Sequence, residues 1–209
     1  MLPFLTRLGI SKDVQSFFLP FISVDEIGNL LFCYGDDFEH FGFAFHKVPA
    51  TENIWMAGNE NLSMISQVYI CNSAMEAIAF LSFKAGLLTI RDNILFLGIG
   101  AKPYAAHIAW VLQHLPGRAY NLLFGNDLLG RISDLKFAAG INGLSVKVSF
   151  DQTNLVIKFR SKLYTLNPDE FTLNAFGKIA GHRFNIRTDK PKLHDSFLEQ
   201  LKSIAFSHH

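Results

Sequence analysis

Residues 67–84, QVYICNSAMEAIAFLSFK, decide how the rest of the chain is read. The first five form a short uncharged run rich in β-branched and aromatic side chains, which suits a strand covered on both faces. From Ser73 onward, small and unbranched residues predominate, and the spacing predicts a helix over residues 73–84 that Gly86 stops. A strand running straight into a helix is half of a βαβ unit. Two further halves follow. Residues 94–97 read as a strand ending in Gly98-Ile99-Gly100, with a helix over 104–115 stopped by Pro116-Gly117. Residues 119–124 read as a strand, with a helix over 128–139 ending at Gly140. This alternation predicts an α/β fold: a parallel sheet with right-handed crossovers and helices on both faces.

The flanks differ in character. Residues 1–61 contain a helical stretch at 12–19, and strand-like pieces at 29–34 and 40–47 around Gly35-Asp36-Asp37, which reads as a hairpin. Pro49 and Asn59-Glu60-Asn61 then break the pattern. Beyond residue 140, segments 145–150, 155–160 and 163–166 read as an antiparallel meander with a turn at 151–154. A helix over 169–180, a strand at 184–187 and a closing helix over 192–204 follow. Three zones are therefore expected within one compact unit: an N-terminal helix and hairpin extension (1–61), an α/β core (62–140), and a β-meander with closing helices (141–209). No internal repeat or low-complexity tract interrupts them.

Two segments of the core carry a resemblance. Val68-Tyr69-Ile70-Cys71-Asn72-Ser73-Ala74-Met75-Glu76-Ala77 resembles the first motif of the Toprim family, a strand followed by a glutamate, a small residue, and an acid that opens a helix. Leu122-Leu123-Phe124-Gly125-Asn126-Asp127-Leu128-Leu129-Gly130-Arg131 resembles the second, a strand running into Asp-x-Asp with a glycine in the next helix. The segments lie 53 residues apart, Asn72 to Gly125, with one βα unit between them. Lys192-Leu193-His194-Asp195-Ser196-Phe197-Leu198 is similar to the segment that closes primase-like relatives. The likeness spans residues 62–140 and that tail.

The departures bear on activity. The resemblance implies metal-assisted phosphoryl transfer, as in primases, topoisomerases and related nucleases, with clustered carboxylates holding Mg²⁺. Here Asn72 stands at the glutamate position and Gly125 at the first aspartate position, and of the three acids only Asp127 remains. The expectation is a vestigial site at Asn72, Glu76, Gly125 and Asp127 with no catalytic residue. No cofactor is expected, because Asp127 alone holds Mg²⁺ poorly. The competing reading is an enzyme with an acidic site rebuilt from Glu76, Asp92 or Asp134; Glu76 lies one helical turn beyond Asn72 on the same face.

Other constellations read more simply as structure. Gly98-Ile99-Gly100 lacks the third glycine and the ribose-binding acid of a dinucleotide loop, so a tight strand-to-helix turn is expected. His107 and His114, seven apart, suit neither a zinc pair nor a triad and read as helix-surface residues; His208 and His209 read as tail. Cys33 and Cys71 offer no disulfide or zinc spacing and read as buried thiols. The 21 phenylalanines, including Phe17-Phe18, Phe41, Phe43 and Phe45, read as a phenylalanine-packed core. No window approaches the ~18 apolar residues of a membrane span, and no leader pattern is visible. A cytoplasmic protein without a membrane partner is expected.

The net charge of +1 conceals an asymmetry: residues 1–118 hold 7 basic and 10 acidic groups, whereas residues 144–192 hold nine and four. Lys147, Lys158, Arg160, Lys162, Arg183 and Arg187 are the candidate nucleic-acid contacts. Lys158, Arg160 and Lys162 are expected on one face of an extended segment opposite Leu155, Ile157 and Phe159, with Tyr164 available for stacking. A solvated sheet face with lysines against edge aggregation is the alternative. Three functions remain: a non-catalytic Toprim-like module that binds DNA, RNA or a protein partner in replication or a mobile element, the rebuilt metal enzyme, or a dimerising scaffold.

Overall fold

A computed structural model describes residues 1–207; His208 and His209 lie outside the described residues. The elements in chain order are α1 (Pro3–Arg7), α2 (Lys12–Phe18), β1 (Ser23–Val24), β2 (Leu30–Tyr34), β3 (Asp37–Phe41), β4 (His46–Lys47) and β5 (Trp55–Gly58). Next come β6 (Gln67–Cys71), α3 (Ala74–Phe83), β7 (Ile94–Gly98), α4 (Ala105–His114), β8 (Ala119–Leu122) and α5 (Leu128–Ile141). The chain ends with β9 (Val146–Asp151), β10 (Asn154–Phe159), β11 (Lys162–Leu166), α6 (Leu173–Ala180), β12 (Arg187–Thr188) and α7 (Phe197–Phe206).

The fold is mixed α/β. A five-stranded sheet has the order β12-β8-β6-β7-β5, with β6, β7, β8 and β12 parallel. The wholly parallel sheet expected from the alternation is corrected at one edge, where β5 pairs antiparallel with β7. Met56-Ala57-Gly58 has neither the bulk nor the alternation that marks a strand in sequence, so β5 forms through its neighbour. Two antiparallel sheets flank this one, β1-β2-β3-β4 and β11-β10-β9.

Period-two alternation distributes each central strand between two cores. Tyr69, Cys71, Ile94 and Phe96 face a cluster with α2, α3, α7 and the hairpin. Val68, Ile70, Leu95 and Leu97 face another with α4, α5, α6 and the meander. Helices therefore cover both faces of the sheet. α3 is apolar nearly all round, as a helix enclosed on every side must be. Stacked and edge-on rings link Phe17, Phe18, Tyr69, Phe80, Phe96 and Phe197. Phe43 and Phe45 depart from the phenylalanine-core reading: they occupy the β3–β4 turn and are exposed. Cys33 is exposed as well, because strand alternation turns it outward between buried Phe32 and Tyr34; Cys71 is buried.

Two helices begin later than the residue pattern suggests. α6 starts after Thr172, whose hydroxyl caps it, and a 3₁₀ turn at Pro168–Glu170 takes the preceding residues. α7 starts after Ser196 instead of near Lys192. Of the last expected strand (184–187) only Arg187 pairs with the sheet, in a two-residue strand that extends to Thr188. Among the described residues no helix is long and apolar enough to cross a membrane.

Buried carboxylates join the three zones. Glu39 of β3 is fully buried and accepts from the backbone N–H groups of Ala74 (2.6 Å) and Met75 (3.1 Å) in the first turn of α3, and from the Tyr34 hydroxyl at 2.8 Å. His46 Nε2 lies 2.8 Å from its other oxygen. Glu76, in that same first turn, accepts in its turn from Phe197 N (3.0 Å) and Leu198 N (3.2 Å) at the start of α7. Each carboxylate meets orphan donors and the positive end of a helix dipole. Glu39→Ala is expected to cost more than about 3 kcal/mol in urea unfolding, because it strands two backbone donors, a phenol and an imidazole. A loss below about 1 kcal/mol would show that water replaces the carboxylate without penalty.

Candidate functional site

In an open α/β sheet the ligand crevice lies beyond the carboxyl ends of the strands, where the strand order reverses. The chain goes from β6 to β7 on one side and returns to β8 on the other, so the reversal lies between β6 and β8. Asn72 follows β6 and Gly125 to Asp127 follow β8, which places both motif segments at the same edge on adjacent strands. Gly130 lets α5 pass tightly over this point, since a Cβ there would strike the backbone of Gly125.

Of the acids weighed for a rebuilt site Asp134 occupies the crevice, and a lysine joins it there. Lys190 reaches in from the segment after β12, and its ammonium donates to Phe124 O at 2.7 Å, to Gly125 O at 3.0 Å and to Asp134 Oδ2 at 2.6 Å. Three N–H donors meet three acceptors, so the ammonium is saturated. Asp134 of α5 is 1% exposed. Burial pushes its carboxyl up to about 7, against the pull of the Lys190 ammonium. The same burial holds Lys190 below the ordinary lysine range, and Asp134 counteracts it. The backbone closes above: Asn126 N donates to Asp195 O at 2.6 Å. A Cβ added at Gly125 would lie 3.0 Å from Asp127 Oδ1 and 3.1 Å from Asp195 O, so an aspartate there would displace its neighbours.

The remaining acids are committed elsewhere. Asp127 Oδ1 accepts from Gly130 N at 2.8 Å and caps α5. Both oxygens of Glu76 serve α7, a correction to its expected place beside Asn72, where it would cap its own helix or hold an ion. Asp92 is exposed and precedes β7, at the amino edge of the sheet. Asn72 Nδ2 makes a long 3.4 Å contact with Ala101 O. Among the described residues no three His, Cys, Asp or Glu side chains gather where they could hold an ion. The donor set does not fit Mg²⁺, which needs several hard oxygens, because a lysine ammonium already takes the oxygens that converge here.

The histidine reading is corrected in part. His107 is fully buried, and its Nδ1 accepts from Tyr104 N at 3.1 Å at the start of α4, while burial lowers its pKa. His114 is exposed and stacks on Trp110.

The basic residues divide among three places. Arg183 and Arg187 line an open groove of about 1020 Å³ between α6 and residues 181–188, together with Lys178, His182, Asn174 and Asn185. Among the described residues no Asp or Glu lines it. Arg160 lies over the Phe159 ring at 5.4 Å, and its charge helps burial to lower the pKa of His182. Lys147 and Lys158 sit directly opposite each other on β9 and β10.

The single face expected for Lys158, Arg160 and Lys162 is corrected. Arg160 and Ser161, with φ of 48° and 65°, form a tight turn, and Lys162 pairs with Phe159 while Lys158 pairs with Leu163. Lys158 and Lys162 therefore project to opposite faces. Tyr164 is not free for stacking, because it packs edge-on against Phe176 at 5.5 Å. Lys178 and the buried roles of Lys190 and Asp134 escaped the sequence reading. Lys190 contributes to the basic excess of residues 144–192, but its acceptors are more than 50 residues away. Comparison with protein-family models, with curated proteins and with solved structures finds no match to this chain.

Two measurements check the crevice. Lys190→Met should cost about 1–3 kcal/mol by leaving Asp134 and the carbonyls of Phe124 and Gly125 buried without their partner, and adding Asp134→Leu should recover part of that. A double variant no more stable than the single would mean that the two groups are not coupled. The second measurement is pH-dependent. Native Asp134 keeps its proton up to about 7, whereas the unfolded carboxyl releases it near 3.8. Between these values the native state binds more protons, so this group's contribution is fully present below the lower value and lost as pH rises through the upper one. Wild type should therefore gain stability relative to Asp134→Asn as pH falls from about 8 to about 5. A difference that stays flat across that range would contradict a raised pKa.

Proposed function

We propose that this chain is a non-catalytic, Toprim-like module that binds nucleic acid through the groove beside β12, in the setting of DNA replication or a mobile element. The observation that carries this reading is the composition of the groove: Lys178, Arg183 and Arg187 are exposed on its walls, and among the described residues no acid lines it. Among the described residues none of the three takes part in an ion pair. Unneutralised cations along a recess attract a phosphate backbone, and asparagine amides nearby add donors for phosphate and sugar oxygens.

The Toprim-like part of the proposal draws support from two features. Asn72 and Asp127 share the carboxyl edge of adjacent parallel strands, and a glycine on α5 admits the Gly125 backbone. The non-catalytic part draws support from Lys190, whose ammonium takes Phe124 O, Gly125 O and Asp134, and from Glu76 and Asp127, which cap helices.

The test is titration of a labelled oligonucleotide by fluorescence anisotropy across a salt series. Replacing Lys178, Arg183 and Arg187 together by Gln should weaken binding by roughly 10²-fold, taking about 1 kcal/mol per contact. The slope of log K against log salt should become shallower by about 2 for a single strand. Thermal stability should change little, since exposed substitutions cost within about 0.5 kcal/mol. Wild-type protein that binds no oligonucleotide at low salt would remove nucleic acid from the account, and a triple variant that binds as tightly as wild type would remove the groove.

A further inference from the structure

We infer that the groove is one end of a continuous basic track that turns a corner at Arg160 and continues across the outer face of the meander. Its ligand is a single-stranded nucleic acid, not a duplex. The inference rests on the polyanion reading of the groove and extends it to a second surface.

The outer face supplies an independent observation. Lys147 and Lys158 are directly opposed in register, and both are exposed. Like charges directly opposite each other destabilise a sheet. Among the described residues no acid forms an ion pair with either lysine, and across β11 the neighbour of Lys158 is Leu163, 70% exposed. Of the strand residues on that face the one acid is Asp151, four residues along β9 and so about 13 Å away. The fold gains nothing from this repulsion, whereas a phosphate lying across both ammonium groups would remove it.

Arg160 joins the two surfaces. It follows Lys158 by two residues, in the β10–β11 turn, and its guanidinium lies over the Phe159 ring at 5.4 Å. That ring packs on His182 (5.6 Å) and Phe184 (5.8 Å), both of which line the groove. Cations thus run from Arg187, Arg183 and Lys178 past Arg160 to Lys158 and Lys147. The inner face of the meander packs on α6 through Phe159 and Tyr164 against Phe176, so its outer face points away from the groove that α6 walls. A ligand touching both ends must bend around the end of a sheet.

Duplex DNA, with a persistence length of about 150 base pairs, does not turn such a corner within a few nucleotides, whereas a single strand does. Phe184, the groove's aromatic ring, is buried and offers no stacking platform, so recognition depends on phosphates and is indifferent to base sequence.

The test uses the full chain with labelled single strands of about 6 and about 20 nucleotides, as DNA and as RNA, and a duplex of the longer length. The long strand should bind at least about 10-fold tighter than the short strand or the duplex. Lys147→Gln/Lys158→Gln should weaken the long strand about 10-fold and leave the short one unchanged, whereas Arg183→Gln/Arg187→Gln should weaken both. The lysine variant should also melt slightly higher than wild type, which separates lost affinity from lost fold. Unchanged long-strand binding by the lysine variant, or equal duplex binding, overturns the track, while the groove reading survives if the arginine variant still fails. Competition by polyglutamate as effective as that of the single strand overturns the nucleic-acid assignment. No binding by wild type overturns both readings.

Discussion

The architecture depends on buried carboxylates placed at helix amino termini that belong to other parts of the chain. Glu39 meets α3 from the hairpin, and Glu76 on α3 meets α7. Both side chains are buried, so neither charge can be left to water, and neither helix start can do without its acceptor. The N-terminal sheet, the central sheet and the C-terminal helix are therefore positioned by two sets of directional bonds as well as by apolar packing. Hydrophobic burial alone tolerates sliding, whereas a carboxylate bidentate to two consecutive N–H groups fixes where a helix begins. This explains why α7 starts at Phe197 and not several residues earlier: the first two N–H groups of the helix must lie against Glu76.

The same economy of charge shapes the carboxyl edge of the sheet. Glu76 is spent on α7 and Asp127 on α5, while Asp134 and two carbonyls of the Phe124-Gly125 segment converge on an ammonium. A lysine brings its donors on a covalent tether, so the converging oxygens are partnered whenever the chain is folded, without a free ion. A buried pair of this kind contributes little net stability compared with apolar packing, but it is costly to break and so defines one geometry. Here it fixes the path of residues 189–195 over the crevice.

The legible part of the fold was the part written in local composition. Apolar strands at residues 67–71 and 94–97, helix ends at Ser73 and Pro116, and the meander turn at 152–153 all follow from patterns within about ten residues, whereas Gly86, expected to stop α3, lies in the 3₁₀ stretch Ala85–Asn93 that follows it. Asp127, read only as the surviving acid of a metal site, proves to be the cap of α5. The missed features depend on distant partners or on conformations that the residue types do not advertise. The Arg160-Ser161 turn places two non-glycine residues in the left-handed region, where Asn-Gly would have been readable. Without that turn, the alternation runs on through Arg160 and puts Lys162 on the wrong face. Glu39 reads as one more acid in a polar hairpin, because its targets lie 35 and 36 residues away. β12 forms only two pairs and owes its place to Asp189 N bonding Leu122 O and to Lys190 beyond it.

That last dependence connects the closed crevice to the open groove. Residues 183–190 alternate between exposed cations and anchors: Arg183 and Arg187 line the groove, Phe184 is buried in the core, and Lys190 is bonded beneath the sheet edge. A two-residue strand at a sheet edge would not by itself hold long arginine side chains at a defined wall. The Lys190–Asp134 pair, three residues beyond Arg187, supplies the fixed point, and the ring packing of Phe184 against Phe159 and Phe176 supplies another. The cations between these anchors are thereby held at set spacing while their heads remain in water. Rigid placement of this kind lowers the ordering cost that a flexible basic loop would incur on meeting a phosphate backbone. On the nucleic-acid proposal, binding at the groove should therefore be sensitive to the buried pair, although neither Lys190 nor Asp134 is among the residues that line it.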